Sequence, residues 1–248
     1  DKSHFVDCTF EDLGRGVTIW ANNGVSFNSS EFDNAGLEGI LAYDSEITVE
    51  DSCRFHNNLD ALELFSTYPN PFGHRIGSLS TRKNVFLDNH YAIYGNSQGN
   101  TKAIIVENNR FEDNDFGIFL AGLSHFTINS NHFEGMSISQ EIAATGDDEN
   151  LITRNYIEDN IIATSYVYNN EGSSFLHNCY VDIDNFDVLF NHTKIFPLIG
   201  SSSSSAGNCF TKNSIPSIYC NTNEAPVKYY SYGTSLSCYY PIISNCSN

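Results

Sequence analysis

Apolar residues along this chain come in short beads, and no stretch shows the amphipathic run of roughly 10–12 residues that a helix needs. One bead sits inside a recurring pattern, Asn-x-aromatic/aliphatic-x-acid-Asn. Its fullest copies are Asn84-Val-Phe86-Leu-Asp-Asn89, Asn109-Arg-Phe111-Glu-Asp-Asn114 and Asn155-Tyr-Ile157-Glu-Asp-Asn160. Weaker copies centre on Phe10, Phe32, Phe55, Phe133, Tyr180 and Phe210, so successive anchors lie 22, 23, 31, 25, 22, 24, 23 and 30 residues apart. A second apolar column precedes the anchor (Phe5, Phe27, Val106, Ile128, Ile152, Phe175), and a third follows it (Val17, Ile40, Leu62, Ile93, Ile118, Val188). Three beads per unit, separated by turn residues, predict three short strands per repeat.

A three-stranded unit of this length closes into one coil of a solenoid, and successive coils stack at about 4.8 Å. Each position then stacks on its counterparts along the axis. The Asn two residues before the anchor should form a buried ladder of amides: Asn84, Asn109, Asn131, Asn155, Asn178 and Asn208. In the first three units the small residues Cys8, Ser30 and Cys53 fill that slot. These Asn-x-Phe-x-x-Asn anchors, with Gly39-Ile40 and Gly117-Ile118 behind two of them, resemble the right-handed parallel β-helix repeats of pectin-lyase-like proteins. The resemblance covers residues 1–214 and implies an all-β fold, a right-handed parallel β-helix of about nine coils. It implies no single activity, because that architecture carries lyases, hydrolases, epimerases, tailspikes and adhesins. The degenerate repeat is most similar to that of large secreted surface proteins of Bacteroidota.

Two over-long units predict loops, one containing Ser66 to Gly73 and the other Phe196 to Ser205. Periodicity stops after Ser214, and the Tyr- and Cys-rich segment 215–248 reads as a cap or linker that shields the last coil's strand edges. The first unit begins within a few residues of Asp1 without such a cap. More protein ahead of it, or another surface-protein subunit, is expected to cover that end.

Composition sharpens this picture. The 30 Asn suit tight turns, while one Met and one Trp leave little material for helices. With 30 acidic against 12 basic residues, a net charge of −18 disfavours nucleic acid and anionic membranes as partners. No apolar run is long enough for membrane insertion. Seven Cys favour an oxidising, extracellular or cell-surface location. Cys179 and Cys209 occupy equivalent positions in adjacent units, so a disulfide between them is expected. Cys8 and Cys53, two coils apart, are expected as thiols, and Cys220, Cys238 and Cys246 offer one further pair. No Cys or Cys/His set has the spacing of structural zinc.

Alternation along a strand sends the residues before and after the anchor outward. One exposed strip should therefore carry Arg110, His132 and Tyr156 beside Glu112, Glu134 and Glu158. Such a strip suits a glycan or cation surface, with Ca²⁺ the expected ion and Arg110 or His132 able to neutralise or deprotonate an acidic sugar. Its plainer reading is a solvated sheet face on which Arg110 and Arg154 relieve repulsion among the Glu residues. Gly146-Asp147-Asp148 resembles the paired-Asp motif of polygalacturonase-type glycosidases, which places Asp147 and Asp148 beside Arg110, His132 and Tyr156 as catalytic candidates. The motifs that accompany that pair are missing, since neither Gly-His-Gly nor Arg-Ile-Lys follows it. Asp182, Asp184 and Asp187 lack the Gly of an EF-hand loop. The expected function is a secreted or surface structural and adhesive module, part of a larger assembly that touches polysaccharide. The rival expectation is a lyase or hydrolase acting on an acidic polysaccharide.

Overall fold

The computed structural model describes residues 3–22, 24–67, 73–97, 104–123, 125–143, 150–168, 173–191, 198–199, 206–211, 218–221, 228–229 and 243–244. The described residues contain strands and no helix, so no helix among them is long and apolar enough to cross a membrane.

The strands wind into a right-handed parallel β-solenoid with three faces. The first sheet has eight strands, from Ser3–Val6 to Ser173–Leu176. The second has nine, from Thr9–Glu11 to Cys209–Phe210. The third has ten, beginning at Val17–Trp20. From Ser3–Val6 to Phe186–Asn191 every third strand joins the same sheet, so the described residues make eight coils with one strand in each sheet, fewer than the nine expected. From the segment beyond residue 214, Ile218–Asn221 and Ile243–Ser244 extend the third sheet, while Lys228–Tyr229 pairs with Leu198–Ile199.

Register follows the apolar columns of the repeat. Phe111 pairs with Phe86 and Phe133, Val106 with Ile76 and Ile128, and Ile118 with Ile93. The anchor rings stack from Phe10 through Phe32, Phe55, Phe86 and Phe111 to Phe133, with centroids 4.7–4.8 Å apart and planes within 11°. Phe32 to Phe133 in this stack are fully buried, and burial of such a ring contributes about 1.5–3 kcal/mol.

Corners are made by residues in the left-handed region. After the first strand of each coil these are Asp7, Ser29, Asp51, Asn108, Ser130, Arg154 and His177; after the second they are Asp12, Asn34, Asn57, Asp88, Asp113, Asp159 and Asp182. Asn and Asp tolerate that conformation best among residues with a side chain, which accounts for their abundance. Behind the first corner runs the amide ladder. Asn84 Nδ2 donates to Asn109 Oδ1, Asn109 to Asn131, Asn131 to Asn155, Asn155 to Asn178 and Asn178 to Asn208, at 3.0–3.2 Å. A second ladder, formed by the Asn that closes each motif, lines the next corner: Asn58 donates to Asn89 and Asn89 to Asn114, both at 2.9 Å.

One expectation is extended and one is corrected. The extra length of the fourth coil is shared between the connection from Ser66 to His74 and residues 77–84, which lie between the coil's first two strands. Cys179 and Cys209 are register partners, yet Cys179 is a free thiol and the disulfide of Cys209 is made elsewhere. In-register parallel strands hold Cβ atoms on parallel vectors at about 4.8 Å, beyond the ~3.5–4.5 Å that a disulfide spans. Cys8 and Cys53 are free thiols. Cys238 and Cys246 lie outside the described residues, as do most of the Ser66–Gly73 and Phe196–Ser205 segments.

Candidate functional site

The second sheet presents the strip expected from alternation. Arg110 pairs in register with His132 and His132 with Tyr156; Glu112 pairs with Glu134 and Glu134 with Glu158. Cations are threaded between the acids. Arg110 bonds Glu112 closely and lies 3.8 Å from Glu134, while His132 Nε2 lies 2.8 Å from Glu158 and 3.9 Å from Glu134. Tyr156 donates its hydroxyl to Glu158 at 3.1 Å, and burial, with that carboxylate second, pushes the phenol above its ordinary pKa. Nearer the start of the solenoid His56 bridges Asp33 and Asp88, and Arg54 lies 3.8 Å from Glu31. Arg154 sits instead at a corner, with φ 54°. Among the described residues, His132, Glu134 and Glu158 are the set whose ligand atoms lie within 4.8 Å of one another. Asp182 and Asp184 are exposed whereas Asp187 is buried, so these three do not converge. Asp147 and Asp148 lie outside the described residues.

The third sheet carries a richer surface that the anchor-centred reading missed. Its strands do not alternate simply, because two successive residues turn inward in each coil, as in Ala61-Leu62, Ala92-Ile93 and Gly117-Ile118. The first of the two is small for a reason: a Cβ on Gly117 would stand 2.4 Å from the Ser139 carbonyl oxygen of the next coil. This doublet brings a different set of positions to the outer face. One register row reads Glu38, Asp60, Tyr91, Phe116, Ile138; another reads Leu41, Glu63, Tyr94, Phe119, Glu141.

Aromatic rings occupy the middle of this face. Tyr91 stacks on Phe116 at 4.6 Å and Tyr94 on Phe119 at 5.2 Å, with Tyr91 edge-on to Tyr94. Towards the start of the solenoid a third row continues the theme, as Trp20 stacks on Tyr43 at 3.9 Å and Tyr43 on Phe65 at 5.0 Å. Trp20 is 66% exposed, and the other rings of these rows are partly exposed. A row of large aromatics held partly open to solvent on a sheet face is a candidate interaction surface.

Carboxyls flank the rings on both sides. Glu38 is buried and bonded to Arg15. Glu63 is pushed up to about 7 by burial, by its hydrogen bond to Glu38 and by the neighbouring charges of Glu38 and Asp60. Burial and the charge of Glu38 raise Asp60, and burial raises Glu141. Near neutral pH Glu63 therefore offers a carboxyl proton as a donor beside flat ring faces. A sequence signal for it exists eight residues after the anchor, where the column reads Glu63, Tyr94, Phe119 and Glu141.

No protein-family model matches the chain, and no curated protein matches it. The arrangement of side chains on the two outer faces is therefore what any functional reading rests on.

Proposed function

We propose that this chain is a secreted or cell-surface β-helix module that binds an extended glycan along the outer face of its third sheet. It acts as an adhesive scaffold within a larger protein or assembly. Kinship with pectin-lyase-like β-helices, and with surface proteins of Bacteroidota, is part of this reading. The observation that carries it is the pair of ring ladders, Tyr91–Phe116 and Tyr94–Phe119, set between Glu63 on one side and Glu141 on the other. Ring faces stack against the C–H faces of sugars, and protonated carboxyls donate to sugar hydroxyls. Coils repeating at about 4.8 Å set these rings and carboxyls along one line, which suits a polymer more than a compact ligand. The net charge of −18 favours neutral glycans over polyanions.

One observation favours a second reading, a polysaccharide lyase or glycoside hydrolase. Glu63 is pushed up to about 7 by burial and by its hydrogen bond to Glu38, and a carboxyl so raised is equipped to act as a general acid.

A glycan array followed by calorimetric titration tests both. Neutral extended glycans should be retained, and Tyr94→Ala or Phe119→Ala should weaken binding at least about tenfold, the scale of losing an aromatic contact worth about 1.4 kcal/mol. Glu112→Gln, on the second sheet, should leave it unchanged. No retained glycan, or retention indifferent to the two ring variants, overturns the proposal. Release of unsaturated or reducing ends that vanishes in Glu63→Gln would replace it with the enzymatic reading.

A further inference from the structure

We propose that His132, Glu134 and Glu158 form a binding site for one zinc-type divalent cation on the outer face of the second sheet. The site is separate from the glycan face and stands or falls independently of it. Its construction follows from the ladder. His132 and Glu134 are two apart on strand His132–Glu134 and so share a face, and Glu158 on strand Tyr156–Glu158 is the register partner of Glu134. Three donors are thereby fixed at the corners of a small triangle by backbone hydrogen bonding rather than by a loop.

The donor atoms converge. One nitrogen, His132 Nε2, faces both carboxylates, at 2.8 Å from Glu158 Oε1 and 3.9 Å from Glu134 Oε2. Tetrahedral zinc bound at about 2.0–2.1 Å sets its donors about 3.3 Å apart, a value between those two separations. Small rotations about side-chain bonds reach it. The other histidine on this strip supplies an internal contrast. His56 meets Asp33 through Nδ1 and Asp88 through Nε2, so its two acids lie on opposite sides of the ring and cannot share an ion with one nitrogen.

Supporting groups orient the ligands. The Tyr156 hydroxyl holds Glu158 Oε2, which leaves Oε1 for the ion, and the Tyr156 ring packs edge-on against the imidazole at 5.2 Å and 81°. Outer partners of this kind fix ligand orientation at metal sites. Arg110 is held more closely by Glu112 than by Glu134, from which it lies 3.8 Å, so a bound ion would displace only the longer of its two contacts. The three side chains are 25–41% exposed, which leaves the outward position open to water as a fourth ligand. An imidazole with two carboxylates selects zinc and its borderline neighbours over Ca²⁺, which requires six to eight oxygens. The plain alternative is a hydrogen-bonded histidine between two acids, with no call for metal.

Equilibrium dialysis of the full chain against zinc chloride, with calcium chloride in parallel, separates the two. The result expected is one zinc per chain and calcium held at least about 100-fold more weakly. His132→Ala and Glu158→Gln should each lower zinc affinity by more than about 100-fold, and Tyr156→Phe by about tenfold. His56→Ala should stay within about twofold of the parent. All substituted side chains lie on the surface, and far-ultraviolet circular dichroism checks that each variant is folded. A cobalt-loaded parent should show the intense visible absorption of four-coordinate nitrogen and oxygen ligation, which needs no variant at all. Absence of stoichiometric zinc, equal retention by His132→Ala, or a preference for calcium overturns the proposal.

Discussion

Replacing Asn109 by Ala tests whether the amide ladder holds the coils together. Its Nδ2 donates to the carbonyls of Ile76 and Glu107 at 2.9 and 3.1 Å and to Asn131 Oδ1 at 3.0 Å. Its Oδ1 accepts from Asn84 Nδ2 at 3.0 Å. All of this happens at a residue with no exposed surface. Truncation leaves one buried and one partly buried carbonyl short of a donor and one amide short of an acceptor. Asn84 Nδ2 keeps the Val49 carbonyl and Asn131 Oδ1 keeps the Asn109 backbone N–H, which softens the loss. At about 1–3 kcal/mol for each orphaned group, the expected cost is about 3–5 kcal/mol. Asn109→Ser should recover part of it, because Ser30 fills the same slot two coils before Asn84, accepting from the Cys8 N–H and donating to the Asn28 carbonyl. Urea unfolding followed by circular dichroism at constant slope measures both variants. A loss below about 1 kcal/mol for Asn109→Ala, or no difference between Ser and Ala, would refute the assignment of the ladder as the coil-to-coil tie.

Two further outcomes follow from single residues. Arg154 is exposed and held at φ 54°, where a residue with a Cβ is strained, so Arg154→Gly should raise the urea midpoint by the equivalent of about 0.5–1 kcal/mol; an unchanged or lowered midpoint would show that corner to be unstrained. Stability should also respond to pH in two opposing ways. Burial lowers His74 to about 4 from 6.5, so its contribution is present above about 6.5 and is lost as pH falls toward 4. Glu63, raised to about 7 from 4.5, contributes stability that is complete below 4.5 and lost as pH rises through 7. Glu63→Gln should reduce the second slope, leaving the part due to Asp60 and Glu141, and should leave the first unchanged, as read from urea midpoints between pH 4 and 8.

Much of this architecture was legible because a solenoid converts sequence period directly into register. Once Phe86, Phe111 and Phe133 are aligned, Arg110 must neighbour His132 and Glu134 must neighbour Glu158. The His132–Glu134–Glu158 set carries no recognisable metal spacing, since its members belong to different coils, and it becomes visible only with the distances between Nε2 and the carboxylates. The third-sheet face was hidden for another reason. Strict alternation counted from the anchor fails where Ala92 and Ile93 both turn inward, which moves Tyr91 and Tyr94 together onto the outside. Cys179 and Cys209 show the limit of arguing from Cα spacing alone, because the direction of the Cβ bonds decides whether a disulfide can close. The Asn closing each motif was plain in the sequence, but its ladder through Asn58, Asn89 and Asn114 rests on amide orientation at the second corner.

On the proposed reading, successive coils of the third sheet present successive binding positions to one extended chain. Affinity for a graded series of oligosaccharides from a retained glycan tests this most directly. It should climb with each added sugar and level off once the chain outruns the ring-bearing coils between Glu63 and Glu141. Affinity independent of length, or saturation at a single sugar, would contradict a linear face and point to a compact pocket elsewhere.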